Sequence, residues 1–385
     1  MTAEHEERLR RVRERMAARG IDTLLISDPA NMHYLTGYDG WSFYTPQGVV
    51  VGADGDVLLF TRHMDAAGAR MTTSLDDGQI LGFPDTYVQQ RDRHPLEWVA
   101  AELVRRGATG PKIAVEMDAY YFSPRAYDAL RASLPAARFV DAEELVNWVR
   151  AVKSPAEVER MRTAGRIVER SMTAGIDAIA PGVRQCDAVA AIYDATVRGV
   201  DGTGGDYPAI VPMLPTGPGT ATPHLTWTDA PFRSGEATIL ELADCHRRYH
   251  CPLARTVFLG RPPRRLTETA AATREGLEAA LAAVRPGARC EDLEAAWRRS
   301  IAAHGLEKES RIGYSVGLGY PPDWGEHTMS LRPGDTTELE PGMTFHMIVG
   351  MWMDGWGFEL SETFHVTAGG AECLTGFPRD LVVKE

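Results

Sequence analysis

The sequence predicts an α/β protein of two domains, on three observations. Strands alternate with helices over about the first 145 residues, a Ser154-Pro155 step interrupts a long helical stretch, and a helix-then-hairpin unit recurs downstream. A chain of 385 residues is long enough to bury two cores.

The opening segment MTAEHEERLRRVRERMAARG reads as a charged amphipathic helix without the apolar centre of a secretory signal. No run of about 18 apolar residues suggests a membrane span. IDTLLISDPANMHYLTGY starts as an apolar strand that breaks at Asp28-Pro29, and QGVVVGADGDVLLF reads as a hairpin with Gly and Asp at its turn. HPLEWVAAELVRRG is a helix stopped by Gly107, and KIAVEMD is a buried strand. From Asp141 onward, DAEELVNWVRAVKSPAEVERMRTAGRIVERSMTAGI is helical on both sides of Ser154-Pro155. Pro155 suits the first position of a new helix, with Ser154 as cap and Glu157 near the capping-box position. The domain boundary is placed here, giving domains 1–149 and 150–385.

Downstream, AIAPGVRQCDAVAAIYDATVRG and AAVRPGARCEDLEAAWRRSIAAHG share helix, Pro-Gly turn, Arg, Cys, acidic residue and helix. The first copy precedes a hairpin at 237–259 and the second a β-rich stretch from about 312 to 366. Two such halves predict a pseudo-twofold, curved antiparallel sheet covered by helices.

Apolar residues make up 44% and charged residues 24%, an ordinary soluble balance, and the formal charge of −12 argues against nucleic acid or an anionic membrane as partner. The five cysteines are scattered without a CxxC pair, which suits reduced, cytoplasmic thiols. Cys245 and Cys251 read as small buried hydrophobes. HRRYH at 246–250, at a hairpin turn, reads as a solvated, partly hydrogen-bonded cluster.

RAVKSPAEVERMRTAG at 150–165, RTVFLG, GYSVGLG, LEPGMTF and GFELSETFHVT follow an order that resembles the creatinase and aminopeptidase P family, over essentially the whole chain. The resemblance implies an N-terminal creatinase-like domain and a C-terminal pita-bread catalytic domain. Metallopeptidases of that family hold a dinuclear metal with two aspartates, a histidine and two glutamates. Those positions fall on Glu241, Pro252, Tyr314, Ile348 and Ser361. One carboxylate does not hold a metal pair, so neither metal nor cofactor is expected. Creatinase acts without metal on a guanidinium through a histidine before the hairpin, and His224 in ATPHLTW matches it. Creatinase's guanidinium-gripping glutamate before Arg-Thr is Ala254 here.

NMHYLTGYDGWSFYTPQ, ELADCHRRYHCPLART, GLGYPPDWGEHTMSLRPGD and MTFHMIVGMWMDGWGFELSET are more similar still to the ectoine-hydrolysing branch of the family. That resemblance implies a cytoplasmic, metal-independent hydrolase that opens a zwitterionic cyclic amidine, ectoine or hydroxyectoine. The cationic ring carbon is already electrophilic, so the charge of the substrate stands in for the metal. Glu241 is the expected nucleophile or charge partner and His224 the expected general acid and base. Asp323, Glu326, Glu359 and Glu362 are candidates to hold the amidine nitrogens, and Tyr314 to donate its hydroxyl. Trp324, Trp352 and Trp356 are candidates for an aromatic wall. Arg311 or Arg332 is expected to hold the substrate carboxylate. The segment GYDGWSFY, ending in Tyr44, is expected to reach the active site of a neighbouring subunit in a homodimer, and a downstream deacetylase to be linked in function. The rivals are an amidinohydrolase for another guanidinium or amidinium, a metallopeptidase, and a protein that only binds ligand.

Overall fold

The computed structural model describes residues 2–385, which divide into two compact units, residues 2–150 and Ala151–Glu385. In the first unit the elements run α1 (Ala3–Ala18), β1 (Thr23–Ile26), α2 (Pro29–Thr36), β2 (Gly48–Gly52), β3 (Val57–Arg62), α3 (Ala66–Thr72), β4 (Ile80–Phe83), α4 (Pro95–Arg105), β5 (Lys112–Val115), α5 (Pro124–Ser133), β6 (Arg138–Asp141) and α6 (Leu145–Arg150). They build one mixed sheet in the order β4-β3-β2-β1-β5-β6. Alternation splits its apolar residues between two cores. Leu24, Ile26, Val49, Val51 and Leu59 enter one, while Leu25, Val50, Leu58 and Phe60 enter the other.

Asp28 ends β1 and caps α2, its carboxylate accepting from Ala30 N at 2.7 Å, which is why the chain turns at Asp28-Pro29. The helix expected from Asp141 starts four residues later. Asp141 closes strand β6, and its carboxylate accepts from Glu143 N at 3.0 Å, a local bond that competes with helix formation.

The second unit contains α7 (Pro155–Ala178), α8 (Gln185–Arg198), β7 (Ala237–His246), β8 (Tyr249–Leu259), α9 (Arg264–Ala282), α10 (Cys290–Ala302), β9 (Gly313–Tyr320), β10 (Asp323–Ser330), β11 (Thr344–Met353), β12 (Trp356–Thr367), β13 (Gly370–Cys373) and β14 (Val382–Lys384). Ser154 and Glu157 form the capping box of α7, with Ser154 N donating to the Glu157 carboxylate at 2.9 Å. The strands form one curled sheet in the order β13-β12-β11-β9-β8-β14, with β10 on β9 and β7 on β8. Every pairing is antiparallel except β14 on β8.

Helix α7 lies close on the β7–β8 hairpin. A side chain at Gly175 would meet Leu240 at 2.7 Å and Ile192 at 2.9 Å, so only glycine permits this approach. Leu240 therefore points toward the helices, and period two sends Glu241 to the opposite face.

Candidate active site

That face gathers the residues of interest. On β7 it carries Ile239, Glu241 and Ala243, opposite Thr256, Ala254 and Pro252 on β8. On β11 and β12 the matching pairs are His346–Thr363, Ile348–Ser361 and Gly350–Glu359, and Tyr314 on β9 stands opposite His346. Side-chain bonds tie the two hairpins together. Ala254 N donates to Ser361 Oγ at 2.7 Å, Thr363 Oγ1 to the Pro252 carbonyl at 2.7 Å, and Thr256 Oγ1 to the Glu359 carbonyl at 2.9 Å. Glu241, Pro252, Tyr314, Ile348 and Ser361 therefore occupy one sheet face with one carboxylate among them. Among the described residues, no group of three His, Cys, Asp or Glu is arranged to hold a metal ion. The residues present do not fit a dinuclear metal centre.

Glu241 is 5% exposed, and no described group hydrogen-bonds its carboxylate. Burial pushes it up to about 7. Glu359 is 2% exposed, with Oε1 lacking any partner. Burial first, then the charge of Glu241, holds it well above the usual carboxylate range, against the pull of Lys308. Burial thus biases both carboxyls toward the protonated form, and the charge of Glu241 further opposes ionisation of Glu359.

Beside them runs a hydrogen-bonded chain of rings. Trp324 Nε1 donates to Tyr314 Oη at 2.8 Å, and Tyr314 Oη lies 3.0 Å from His346 Nδ1. Burial, with a smaller contribution from Arg311, drives the His346 imidazole down to about 3, so it is neutral. Its Nε2 is buried without a partner. Lys308, ahead of β9, donates to the Gly350 carbonyl at 2.8 Å and lies 4.2 Å from the centre of the Trp352 ring. Burial lowers it to about 8, against the charge of Glu359. Neither His346 nor Lys308 stood out in the sequence. A histidine inside the apolar run MTFHMIV was the available signal for the first, whereas EKES looks like an ordinary surface loop.

The structure thus brings Glu241, Tyr314, Trp324, Trp352 and Glu359 together. Glu362 sits on the other face of β12, where Arg255 donates to it at 2.8 Å, Thr375 at 3.0 Å and Arg379 at 3.1 Å. Glu326 is paired with Lys153 at 2.5 Å, both side chains almost fully buried. Asp323 accepts from Gly325 N at 2.9 Å and contacts His327 at 3.0 Å. These three carboxylates are engaged elsewhere. Arg311 is exposed, stacks 4.5 Å from the Tyr314 ring centre and donates to Ser330 Oγ at 2.9 Å. Arg332 is exposed. Trp356 stacks with Arg265 at 5.1 Å and lines a cavity of about 240 Å³ with Pro218, Glu236 and Phe258.

His224 is exposed, with φ +65°. Its neighbour Leu225 accepts from Leu214 N at 3.0 Å, and Met213 exchanges two backbone bonds with Glu241 at 3.0 and 3.1 Å, so its loop is anchored near Glu241 through segment 213–214. Tyr44 is 61% exposed in the first unit and lines a cavity there of about 290 Å³ with Tyr87, Arg93 and Tyr121. The expectation of a solvated HRRYH cluster is corrected, because β8 begins inside it. Arg248 stacks 3.6 Å from the Tyr207 ring centre, and buried His250 accepts from Ala209 N at 2.9 Å.

A curled antiparallel sheet of this order, covered by helices, is the pita-bread fold, and sequence comparison agrees. Metallopeptidase family M24 matches residues 159–368 and the Creatinase/Prolidase N-terminal domain matches residues 8–152, so the chain belongs to family M24 and is a hydrolase. An ectoine hydrolase of Halomonas elongata is 48% identical over 99% of this chain and 97% of its own length. An uncharacterized hydrolase/peptidase of Sinorhizobium fredii is 45% identical over 100% and 98%. In fold, the prolidase of Pyrococcus horikoshii superposes with a TM-score of 0.83 at 19% identity, over 98% of this chain and 100% of that one.

Proposed function

We propose that this hydrolase opens the cyclic amidine ring of ectoine without a metal ion, releasing an N-acetylated 2,4-diaminobutyrate. The observation that carries the reading is the pair Glu241 and Glu359, buried and lacking hydrogen-bond donors where a metallopeptidase would bind its ions. An amidinium offers that pair a cation and N–H donors together.

The ionised member, Glu241, faces the amidinium and takes a proton from an attacking water, or attacks the carbon itself. The bond from water oxygen to the amidine carbon forms, one ring C–N bond breaks, and the protonated member, Glu359, gives its proton to the departing nitrogen. That assignment places the acid on a buried group rather than on exposed His224. The neutral His346–Tyr314–Trp324 chain fixes the wall beside the reacting carbon. A cytoplasmic homodimer sharing its sites through the Tyr44 segment, a downstream deacetylase that consumes the product, and acceptance of hydroxyectoine belong to the same reading.

A substrate screen followed by proton NMR tests it. Ectoine, hydroxyectoine, creatine and a Xaa-Pro dipeptide are each incubated with the protein in metal-depleted and in manganese-supplemented buffer. Loss of the ectoine ring signals in both buffers supports the reading. Turnover of the dipeptide only with manganese, or of creatine alone, replaces it.

A further inference from the structure

The substrate of the reading above is a zwitterion, so its carboxylate also needs a partner. Arg311 and Arg332 are exposed, and the Arg311 guanidinium is already engaged with Ser330 and the Tyr314 ring. Lys308 differs. Its ammonium has three N–H groups and gives one to the Gly350 carbonyl. Trp352 presents a buried indole N–H with no acceptor, and Lys308 stands over the same ring, 4.2 Å from its centre. Two sets of unfilled donors therefore converge at one place.

That place adjoins the carboxyl pair. Gly350, whose carbonyl holds Lys308, is the direct cross-strand partner of Glu359. A side chain at Gly350 would meet the Trp352 ring at 2.4 Å, so glycine lets the indole lie flat across β11 on the Glu359 face. Charge thus changes sign along this wall, from Glu241 and Glu359 to Lys308, as it does across a ring that carries an amidinium and a neighbouring carboxylate.

We propose that Lys308, with the indole N–H of Trp352, holds the carboxylate of the zwitterionic substrate and selects carboxylated rings over bare ones. The proposal rests on the amidine-hydrolase reading of the same site. A partly buried ammonium with a single carbonyl acceptor is incompletely compensated, and a bound carboxylate supplies the missing charge. The indole N–H fixes a second carboxylate oxygen, which orients the ring so that its amidine carbon meets Glu241.

The test compares ectoine with the same methylated ring lacking its carboxylate, in steady-state assays of the wild type, Lys308→Met, Lys308→Arg and Trp352→Phe. Lys308→Met raises KM for ectoine by about ten- to a hundredfold, the loss expected for one charge-assisted bond, while kcat stays within a few-fold. Its preference for the carboxylated ring disappears, and Lys308→Arg recovers part of it. Trp352→Phe keeps the ring, removes only the N–H and raises KM by roughly three- to tenfold, an independent check should Lys308→Met fold poorly. An unchanged KM for ectoine in a Lys308→Met protein with a normal melting curve overturns the proposal. So does a wild type that opens both rings equally well. A wild type that opens neither ring overturns the function itself, and this inference with it.

Discussion

Four glutamates are buried on the strands of the second unit, and they divide into two kinds. Glu326 and Glu362 are 1% exposed, each paired with a cation, Lys153 for one and Arg255 with Arg379 for the other. Glu241 and Glu359 are as deeply buried, but no donor reaches Glu241, and Oε1 of Glu359 is unpartnered. Burial is therefore common to both kinds, and what separates them is the paired cation that only the first two have. The first pair stabilises the fold. The second costs stability, which the proposed function explains as the cost of a site for the amidinium.

The contrast breaks most visibly in activity. Glu241→Gln is expected to lower kcat for ring opening by about a thousandfold, the loss associated with a missing general base, measured by NMR at saturating substrate. The isosteric Glu362→Gln removes the partner charge of buried Arg255. It is expected to lower unfolding free energy by about 3 kcal/mol in denaturant melts while leaving the kcat of the folded enzyme within a few-fold.

The pH dependence sharpens the difference further. Burial raises Glu241 from 4.5 to about 7, so its favourable contribution is fully present below the unfolded value and is lost as pH rises through the folded one. Wild-type stability is expected to fall between about pH 4.5 and 7 by an amount of the order of 3 kcal/mol, and Glu241→Gln to lack that fall. Over the same window kcat/KM rises as the carboxylate ionises. A smaller effect is expected at His346, where replacement by Phe deletes the orphaned Nε2 and releases Tyr314. Roughly a tenfold loss of kcat with a normal melting temperature is the expected outcome. The least effect belongs to Trp356, which lines its own cavity. Trp356→Leu is expected to change kcat/KM by about twofold or less.

Much of this was legible before folding. The doubled helix-then-hairpin pattern and the Ser154 capping box marked the second unit's architecture, because both depend on local rules of propensity and period. Glu241 was legible because Ile239, Leu240 and Leu242 surround a lone carboxylate on a strand. The distinction between Glu359 and Glu326 was not. Glu326 takes its partner Lys153 from 173 positions away and Glu362 takes Arg255 from 107 away, and nothing local announces either pairing. Lys308 was hidden for a related reason: its burial depends on the Trp352 ring, supplied by another strand. The solvated reading of HRRYH failed because the turn is only two residues long, Arg247-Arg248, and Tyr249 and His250 already belong to β8.

The most direct test is the rate of ectoine ring opening by chelator-treated wild type and Glu241→Gln, followed by proton NMR at pH 8. Full activity in the wild type, with none in the variant, is the predicted result. A wild type that is silent after chelation and recovers with manganese or cobalt would contradict the claim that the paired carboxyls alone do the work.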